Sequence, residues 1–360
     1  MRPLHVLFFI PSFAGGGAER QCAYLANGLS SLSDFKVSLA YFHEGVNHGL
    51  VDRTQVGLIK IRSRSNYDPR IAWRLKRLIE TERPDIVFSW LHASDVFTWC
   101  ARRLGAQFKW VMAERNSWYP ADVRFWLRDR VGRQSDLIVS NSEKGDLYWE
   151  KRGVPSVRRR IADNVLPDAW FDARPHSPEA QLVCFAGRME PQKDIQRLAD
   201  AFLLLAKERK DVKFVLAGEG SLREDVCVRV KDEASISCIG FQQNVRPLFE
   251  RTSVFVNISV HEGKPNTVIE NLATGNRVVL SRIPEHIELV GEDYPFLVDC
   301  GADPATIASL IERALSTPMH AGERLALHHR LEPMRLHTIV ERYASMFVEL
   351  TSSHVESAHH

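Results

Sequence analysis

The sequence predicts an α/β protein built from two Rossmann-like, doubly wound domains that face each other across a cleft. Three observations support this fold class. Short apolar segments alternate with amphipathic, helix-like segments, which is typical of parallel sheets covered by helices. The alternation stops once, in a proline-containing segment without periodicity, and then restarts. The length of 360 residues is sufficient for two domains of ordinary size.

The first alternating region predicts a domain over residues 1–165. The expected strands are LHVLFFI, FKVSLAYF, DIVFSWL, KWVMAERN and DLIVSNS, and the clearest helices are AERQCAYLANGLSSL and DPRIAWRLKRLIETERP. The opening apolar run indicates a buried strand rather than a signal peptide, because His5 and Pro11 interrupt it and a glycine turn follows.

The interruption, NVLPDAWFDARPHSPEAQ, contains three prolines and predicts an interdomain linker. The second alternating region predicts a domain over residues 166–340. Its expected strands are LVCFAGRM, KFVLAGEG, ISCIGF, SVFVNISV and NRVVLSR. The remaining residues, 341–360, contain the end of a helical segment, LHTIVERYASMFVELTSS, followed by a tail. Parallel α/β sheets bind ligands at the carboxyl ends of their strands, so we expect the site in the cleft between the two domains.

Composition excludes several classes of protein. The six cysteines are scattered without a CxxC pair, which favours reduced thiols in the cytoplasm and provides no zinc-ligand spacing. No apolar run reaches the roughly 18 residues that cross a bilayer. The basic residues form no recognisable nucleic-acid reader, so nucleic acid is not expected as a partner. Basic residues nevertheless exceed acidic ones in the first half, which favours anionic partners.

Glycine-rich and basic motifs follow three of the predicted strands. SFAGGGAER places Gly15, Gly16 and Gly17 before a helix, but Arg20 breaks the GxGxxG pattern and argues against a nicotinamide enzyme. AGRMEPQKD provides Arg188 and Lys193, two cations suited to a diphosphate. AGEGSLRED, with Gly218, follows another strand. Taken singly, each motif also fits a tight turn or a solvated surface loop.

The stretch HEGKPNTVIENLATG places a carboxylate on each side of a rigid turn. Asn266 is a good N-cap, so the helix is expected to begin near Thr267, with Glu270 about one turn inside it. Side chains tilt towards a helix N-terminus, which directs Glu270 back towards the strand end, near Glu262 on the preceding loop. Two such carboxylates can accept hydrogen bonds from sugar hydroxyls at two points of one ligand. The alternative is one glutamate serving the helix dipole and one on the surface.

These motifs, in this order, resemble glycosyltransferase family 4, whose members are retaining enzymes of the GT-B fold. The AERN stretch in addition resembles the branch that builds lipid-linked O-antigen and capsule glycans. The resemblance covers almost the whole chain and is carried by the following residues: Gly15–Gly17, Asn164, Gly187, Arg188, Lys193, Gly218–Gly220, Gly240, Phe241, Glu262, Gly263, Pro265, Asn266 and Glu270.

The resemblance implies a role for each matching residue. Arg188 and Lys193 would hold the donor diphosphate and stabilise the leaving group, and Glu270 would bind the nucleotide ribose. Glu262 would hold the donor sugar. The remaining implied contacts are backbone groups of Gly263, Lys264, Pro265 and Asn266 to the sugar, backbone groups near Gly218 and Phe241 to the nucleotide, Gly16 and Gly17 to the diphosphate, His92 to the sugar, and Glu114 and Arg115 on the acceptor side. Lys264 stands where the family often has an apolar residue.

The implied activity is retaining transfer of a sugar, from a UDP-hexose or UDP-HexNAc, to a hydroxyl of a polyprenyl-diphosphate-linked glycan. No obligatory metal is expected, since the chain contains no Asp-x-Asp. In such enzymes the last helix crosses back to the first domain. The alternatives are a GT-B sugar-nucleotide epimerase and a non-catalytic sugar-nucleotide-binding scaffold. The donor base, sugar, acceptor, linkage and oligomeric state are not fixed by the sequence.

Two basic, aromatic segments of the first domain suggest contact with an anionic membrane surface. They are RIAWRLKR, with Trp73, and RNSWYPADVRFWLRDRVGR, with Trp118, Trp126 and Arg128. A core-facing aromatic stripe with a solvated basic face is the alternative. The predicted location is therefore the cytoplasm, peripherally on the inner face of the cytoplasmic membrane.

Overall fold

The computed structural model describes residues 2–116, 119–172 and 181–352. These residues form two compact units: the first runs up to Val165 and resumes at Pro333, and the second is Leu166–Glu332. Each unit is a parallel sheet covered by helices, which confirms the predicted α/β class. Among the described helices, none combines the length and apolar composition that a membrane-spanning helix requires.

The sheet of the first unit has seven parallel strands in the order β3-β2-β1-β4-β5-β6-β7. The strands are β1 (Leu4–Ser12), β2 (Phe35–His43), β3 (Gly57–Lys60), β4 (Ile86–Trp90), β5 (Lys109–Glu114), β6 (Leu137–Ser140) and β7 (Arg159–Ile161). The helices are α1 (Gly17–Ser30), α2 (Arg70–Glu82), α3 (His92–Arg103), α4 (Val123–Gly132), α5 (Glu143–Glu150) and, at the chain's return, α13 (Leu336–Ser352).

The central strand β1 is buried on both faces, as its near-continuous apolar sequence requires. Val6 and Phe8 belong to the core beneath α1 and α13, while Leu7 and Phe9 belong to the core beneath α2 and α3. Helix α13 packs into the first of these cores, where the Phe347 ring meets Phe88 edge to face at 5.6 Å. The burial of α13 along its length places the chain's return at Pro333, so the predicted boundary after residue 340 falls inside this helix.

The sheet of the second unit has six parallel strands in the order β10-β9-β8-β11-β12-β13. The strands are β8 (Gln181–Ala186), β9 (Val212–Ala217), β10 (Ile236–Gly240), β11 (Val254–Asn257), β12 (Arg277–Ser281) and β13 (Leu297–Val298). The helices are α6 (Ile195–Glu208), α7 (Arg223–Val230), α8 (Arg246–Phe249), α9 (Asn266–Thr274), α10 (Pro284–Val290), α11 (Pro304–Ser316) and α12 (Ala321–Leu331).

The predicted linker belongs in part to the second unit. Its described portion contains a short 3₁₀ turn, Asp168–Trp170, and the buried Trp170 ring lies 6.0 Å from Phe249. Residues 173–180 of the predicted linker lie outside the described residues.

Both sheets reverse their strand order at one point, between β1 and β4 in the first unit and between β8 and β11 in the second. Open α/β sheets bind ligands in the crevice that forms at the carboxyl ends of the strands flanking such a point. The loops after β8 and β11 carry Arg188, Lys193 and Glu262, and those after β1 and β4 carry the glycine turn and His92. The topology therefore places the sequence-predicted motifs where each sheet is suited to hold a ligand.

Candidate functional site

In the second unit, the loops after β8 and β9 are joined backbone to backbone. Gly187 N donates to Ala217 O at 3.0 Å and Met189 N donates to Glu219 O at 2.8 Å. This proximity requires glycine at Gly218, where a Cβ would lie 1.8 Å from the Gly187 carbonyl oxygen and where φ is +140°. Gly218, predicted to contact a ligand, thus has a demonstrable role in packing two loops together.

Glu190 further stabilises this pair of loops. Its carboxylate accepts hydrogen bonds from the Ser221 amide at 3.0 Å and from the Ser221 hydroxyl at 2.5 Å. These bonds lower the pKa of Glu190, and the neighbouring charge of Arg188 lowers it further. Arg188 itself is exposed, so its guanidinium remains accessible to an anionic ligand.

Lys193 ends a 3₁₀ turn, Pro191–Lys193, whose position is set by the loop after β11. Gln192 provides both connections: its side chain donates to His261 O at 2.7 Å, and its carbonyl accepts from Val260 N at 2.9 Å. As a result, the Lys193 side chain points at Glu262, although the two residues are far apart in sequence. Its ammonium group donates to Glu262 Oε1 and forms an ion pair with it.

The Glu262 carboxylate lies at the centre of a buried polar network. Besides Lys193, Oε1 accepts from the Ser259 hydroxyl at 2.7 Å and from the Asn257 amide at 3.3 Å. Burial by itself would raise the pKa of Glu262, but the Lys193 charge and the hydrogen bonds from Lys193 and Ser259 outweigh it and lower the pKa. Glu262 is therefore an ionised carboxylate near neutral pH, held in one orientation.

The turn after Glu262 leads directly into α9. The helix begins at Asn266 and its N-cap is Pro265, so the prediction that Asn266 is the N-cap is wrong by one residue. The Asn266 amide donates to Lys264 O at 3.0 Å. The turn therefore closes before Asn266, and the helix begins one residue earlier than expected. Glu270 lies in the second turn of α9 and is buried.

Lys264 has an environment that its sequence position did not predict. Its side chain is only 2% exposed, and its ammonium donates to Glu288 Oε1 of α10 at 2.9 Å. The lysine that departs from the family pattern thus connects the turn to the next helix.

Phe241 follows β10, the edge strand, and its ring is 46% exposed. The Phe241 amide donates to Glu219 Oε1 at 3.4 Å, and Glu219 also pairs with Arg223. An exposed aromatic ring on a loop at the carboxyl end of the sheet is available for stacking on a planar group.

In the first unit, the glycine turn after β1 ends at Gly16, the N-cap of α1. Glu19, in the first turn of α1, points back at it: a Cβ on Gly16 would lie 2.2 Å from Glu19 Oε2. Burial raises the pKa of Glu19, while hydrogen bonds from the backbone of Glu19 and Gly16 oppose the rise. The helix N-terminus near Gly16 and Gly17 is therefore already capped by a carboxylate of the chain itself.

His92 begins α3, immediately after β4, and is half-buried with its ring 5.5 Å from Phe125. The preceding Leu91 has φ +69° and ψ 154°, a conformation that is essentially confined to glycine. Burial and the charges of Arg124 and Arg128 lower the pKa of His92. Strain of this kind is typical of positions where the chain holds a side chain for function.

Glu114, predicted on the acceptor side, is completely buried. Oε2 accepts from Arg128 and from the Trp149 indole, both at 2.8 Å, and Oε1 accepts from the Asn116 amide at 3.0 Å and from the Tyr119 hydroxyl. Four donors occupy the capacity of one carboxylate, so Glu114 has none left for a substrate. Its role in the described structure is to organise the loop that follows β5.

Arg115 points towards the C-terminal helix. Its guanidinium donates to the Tyr343 hydroxyl at 2.7 Å and to Asn164 Oδ1 at 3.3 Å, and it stacks 4.1 Å from the Trp90 ring. These contacts join β5, the end of the first unit's initial segment and α13, and they engage both Nη atoms of Arg115, while its Nε is buried without a hydrogen bond in the described residues.

Some residues of the predicted basic, aromatic surface are exposed, and others are buried in the first unit. Trp73 on α2 and Trp126 on α4 are exposed, at 53% and 61%, and arginines stack on both: Arg77 at 4.3 Å and Arg130 at 5.9 Å. Arg128 does not belong to this surface, because it is 1% exposed and paired with Asp95 and Glu114. Trp118 lies outside the described residues.

Sequence reasoning missed the residues that support the charged groups. They are Asn257, Ser259, Ser281 and His286 around Glu262, and Asp95 and Arg128 around Glu114. The polar residues in the apolar stretch VFVNIS were the available signal, since a buried strand has no other reason to contain them. Within the described ranges, no group of three or more His, Cys, Asp or Glu side chains is placed to hold a metal.

Two family profiles match the chain in sequence. The profile described as Glycosyltransferase Family 4 matches residues 15–165, and the one described as Glycosyl transferases group 1 matches residues 180–317. Together they span both units.

Curated relatives and solved structures agree with these matches. The chain is 27% identical over 286 residues to a Campylobacter jejuni GalNAc-α-(1→4)-GalNAc-α-(1→3)-diNAcBac-PP-undecaprenol α-1,4-N-acetyl-D-galactosaminyltransferase, covering 75% of this chain and 77% of the relative. It is 25% identical over 313 residues to the lipopolysaccharide core biosynthesis glycosyltransferase LpsE of Rhizobium meliloti, covering 84% and 86%. The structure of Anabaena HepE in complex with UDP-glucose has the same fold, with a TM-score of 0.79 at 15% identity over 96% of this chain and 99% of that one.

Proposed function

The chain belongs to glycosyltransferase family 4, whose enzymes use nucleotide sugars, and from this premise we propose its substrates and the roles of its residues. The donor is a UDP-sugar, with UDP-HexNAc first and UDP-hexose second. The acceptor is a hydroxyl of a polyprenyl-diphosphate-linked glycan in the assembly of a bacterial surface polysaccharide. Transfer retains the configuration of the sugar. The single observation that carries the proposal is the buried Lys193–Glu262 pair at the strand-order reversal of the second unit.

Lys193 is suited to stabilise a departing diphosphate. In the described structure its ammonium has one hydrogen-bond partner, Glu262, so two of its three protons remain for phosphate oxygens. The exposed Arg188, five residues earlier, adds a guanidinium that can bind two phosphate oxygens at once. Charge that develops on the leaving group is stabilised most strongly by cations that are already in place and shielded from water.

Glu262 is suited to hold the donor sugar, because it is ionised and fixed, and the turn that follows it, Gly263–Asn266, leads directly into α9. Glu270, buried in the next helix turn, is assigned to the ribose hydroxyls. The exposed Phe241 ring and its loop are assigned to the base, with Gly218 shaping the adjacent loop.

In the first unit, His92 is assigned to the donor sugar and the turn at Gly16 and Gly17 to the diphosphate. The strained Leu91 supports the assignment of His92. Glu19 bears on the second assignment, because its carboxylate occupies the helix N-terminus and would have to withdraw from a bound diphosphate. Glu114 and Arg115 support the acceptor side indirectly, by ordering the loop after β5.

The names of the relatives support the choice of substrates. The Campylobacter jejuni relative is an N-acetylgalactosaminyltransferase with an undecaprenol-PP-linked substrate, and the Anabaena structure contains UDP-glucose. With a polyprenyl-linked acceptor, we also propose that the enzyme acts peripherally at the inner face of the cytoplasmic membrane.

The donor half of the proposal is tested by thermal shift with UDP, GDP and ADP at equal excess. A ligand that binds only the folded protein raises the melting temperature by an amount that grows with the logarithm of its concentration over its affinity. We expect UDP to give the largest shift and Glu270→Gln to abolish it. Equal shifts with all three nucleotides would contradict the assignment to UDP, and mass spectrometry of products with UDP-GalNAc and a polyprenyl-diphosphate glycan tests transfer.

The proposed contact with the membrane surface involves Trp73 and Trp126. Aromatic rings that carry stacked arginines can insert at the interface while the cations pair with anionic headgroups. We expect sedimentation with vesicles of phosphatidylglycerol at low salt, weaker at high salt, and strongly reduced in the double variant Trp73→Ser, Trp126→Ser. Leu147→Ser is the matched control, because Leu147 is exposed on α5 of the same unit without a stacked arginine. Equal sedimentation of both variants would remove these tryptophans from the membrane surface.

A further inference from the structure

A second layer of polar groups lies beneath the Glu262 carboxylate. The Ser259 hydroxyl donates to Glu262 Oε1 at 2.7 Å, and the Ser281 hydroxyl donates to the Ser259 carbonyl at 2.5 Å. His286, in the first turn of α10, places Nδ1 2.9 Å from the Ser281 carbonyl oxygen and 3.2 Å from its hydroxyl oxygen. These hydrogen bonds, joined through the covalent frame of Ser259, connect α10 to the carboxylate assigned to the donor sugar.

This path fixes the tautomer of His286. A carbonyl oxygen only accepts, so the proton of that contact must be on Nδ1. The Ser281 hydroxyl proton is already directed at Ser259, so the Ser281 hydroxyl oxygen also accepts from Nδ1. The neutral ring then has a bare lone pair on Nε2.

The ring stays neutral. His286 is completely buried, and burial lowers its pKa to about 4. The charge of Lys193 also lowers this pKa, whereas the hydrogen bond to the Ser281 carbonyl and the charges of Glu262 and Glu285 raise it. Across the neutral range the imidazole is thus a fixed hydrogen-bond donor at Nδ1, adjacent to a charged pair whose net charge it leaves unchanged.

We infer that His286 is a positioning residue for the Glu262–Lys193 pair, acting through Ser281 and Ser259. The inference rests on the proposed donor site and deepens it. By donating from Nδ1, His286 fixes both oxygens of Ser281, and this fixes the direction in which the Ser281 hydroxyl points at Ser259. Ser259 in turn has its hydroxyl between two acceptors, Asn257 Oδ1 at 2.5 Å and Glu262 Oε1 at 2.7 Å, and its amide donates to Asn257 Oδ1 at 3.1 Å.

A second buried histidine shows why packing alone does not account for His286. His5 in the first unit has both ring nitrogens paired, Nδ1 with Glu82 O at 3.1 Å and Nε2 with Ser38 Oγ at 2.9 Å. In the described part of the chain, His286 Nε2 is buried without a hydrogen-bond partner. An apolar ring would avoid that cost, so the Nδ1 proton is the feature that an imidazole adds at this position.

Three substitutions separate the two nitrogens. His286→Asn retains an N–H close to Nδ1, His286→Gln retains a polar atom close to Nε2, and His286→Phe retains only the ring. We expect kcat/KM for UDP-GalNAc to fall by roughly 10- to 100-fold in the Phe and Gln variants, the range seen when a partner that orients a site residue is lost. The Asn variant should recover most of it. Ser281→Ala should resemble His286→Phe, and the double variant should be little worse than either single one.

The matched controls are His5→Phe and His5→Asn, which remove a buried imidazole from the other unit. They should lower thermal stability and leave the donor KM and kcat unchanged. Recovery of activity by Gln rather than Asn would overturn the inference, because the functional nitrogen would then be Nε2. Equal kinetics for the wild type and all His286 variants would overturn it as well.

A measurement that does not require catalytic turnover can test this inference separately from the proposed function. The Glu262 carboxyl group can be titrated by ¹³C nuclear magnetic resonance in the wild type and in each variant. If His286 positions Glu262, the carboxyl pKa should rise in the Phe variant, as the Ser259 hydrogen bond is misaligned, and return in the Asn variant. An unchanged titration in all variants would refute the positioning role even if UDP-GalNAc proved not to be the donor. A wild type inactive with every nucleotide sugar would count against the proposed function alone.

Discussion

In the described residues, each unit contains a buried ion network, and the two networks differ in how far their charges are shielded from solvent. In the first unit, Arg128 pairs with Asp95 at 3.0 Å and with Glu114 at 2.8 Å, and its guanidinium lies 4.6 Å from the Tyr119 ring. In the second, Lys193 pairs with Glu262, and both side chains retain about a tenth of their exposure, 11% and 7%. The Arg128 and Asp95 side chains are exposed by 2% and 0%.

We take this difference to separate a buried charge that holds the fold from one that we propose meets a ligand. Arginine presents five donors in a rigid fork; in the first network Nε donates to Asp95 and one Nη atom to Glu114, and the other Nη atom is buried without a hydrogen bond in the described residues. Lysine is a compact charge with three donors, and the second network leaves two of them unused within the described residues. A charge that keeps some exposure beside a sheet's strand-order reversal is suited to substrate, whereas a charge enclosed between two buried carboxylates stabilises one arrangement of the chain.

The largest expected effect is on stability, from Arg128→Met. This change leaves Asp95 and Glu114 buried without their cation, which typically costs about 3–5 kcal/mol. Urea unfolding should show this loss. Arg130→Met is the control, since Arg130 is exposed on the same helix and should change stability by less than about 0.5 kcal/mol. A similar small loss in both variants would contradict a structural role for the first network.

Lys193→Met should lower turnover by roughly 10²- to 10³-fold, the effect of removing one preorganised group from a developing negative charge. It also removes the cation from the buried Glu262 carboxylate, so part of its effect would be on folding. The double variant Lys193→Met, Glu262→Gln separates the two. We expect it to regain melting temperature but no turnover, whereas recovery of both would make the pair a structural feature like the first network.

The fold followed from sequence because its determinants are local. Strand β1 is a run of apolar residues, and strands of this kind alternated with amphipathic helices throughout. The candidate site was predicted where a motif lies on one loop, as with Glu262 and Glu270. The contact of Lys193 with Glu262 was not predicted, because it depends on Gln192 bridging two loops that are distant in sequence.

Other features depend on packing that no local pattern records. Glu114 and Arg128 are separated by a loop and a helix turn, and the sequence showed only one acidic residue after a strand and one arginine among several. Burial joined them and removed both from the surfaces assigned to them. His286 had no predicted role, since its partner Ser281 ends a strand and nothing in the local sequence distinguishes that serine.

A smaller effect is expected on the pH dependence of stability. The pKa of Glu262 is lower in the folded protein than in the unfolded chain, so its ionisation stabilises the fold above the unfolded pKa. This contribution is lost as the pH falls through the folded pKa. The difference in unfolding free energy between wild type and Glu262→Gln, about 1–3 kcal/mol at pH 7, should therefore shrink on acidification. A difference that stays constant from pH 7 to pH 3 would contradict the ion pair.

The smallest effect is expected from Lys264→Met. Its partner Glu288 is 53% exposed, so the pair is largely screened and its loss should cost less than about 1 kcal/mol of stability. Lys264 nevertheless lies in the turn assigned to the donor sugar, so the ratio of kcat/KM for UDP-GalNAc to that for UDP-glucose should change, by about tenfold at most. Glu288→Gln is the matched control, because it removes the same ion pair and keeps the lysine. If both variants shift the ratio equally, the ion pair with α10 sets the shape of the turn; if only Lys264→Met does, the lysine itself discriminates between sugars.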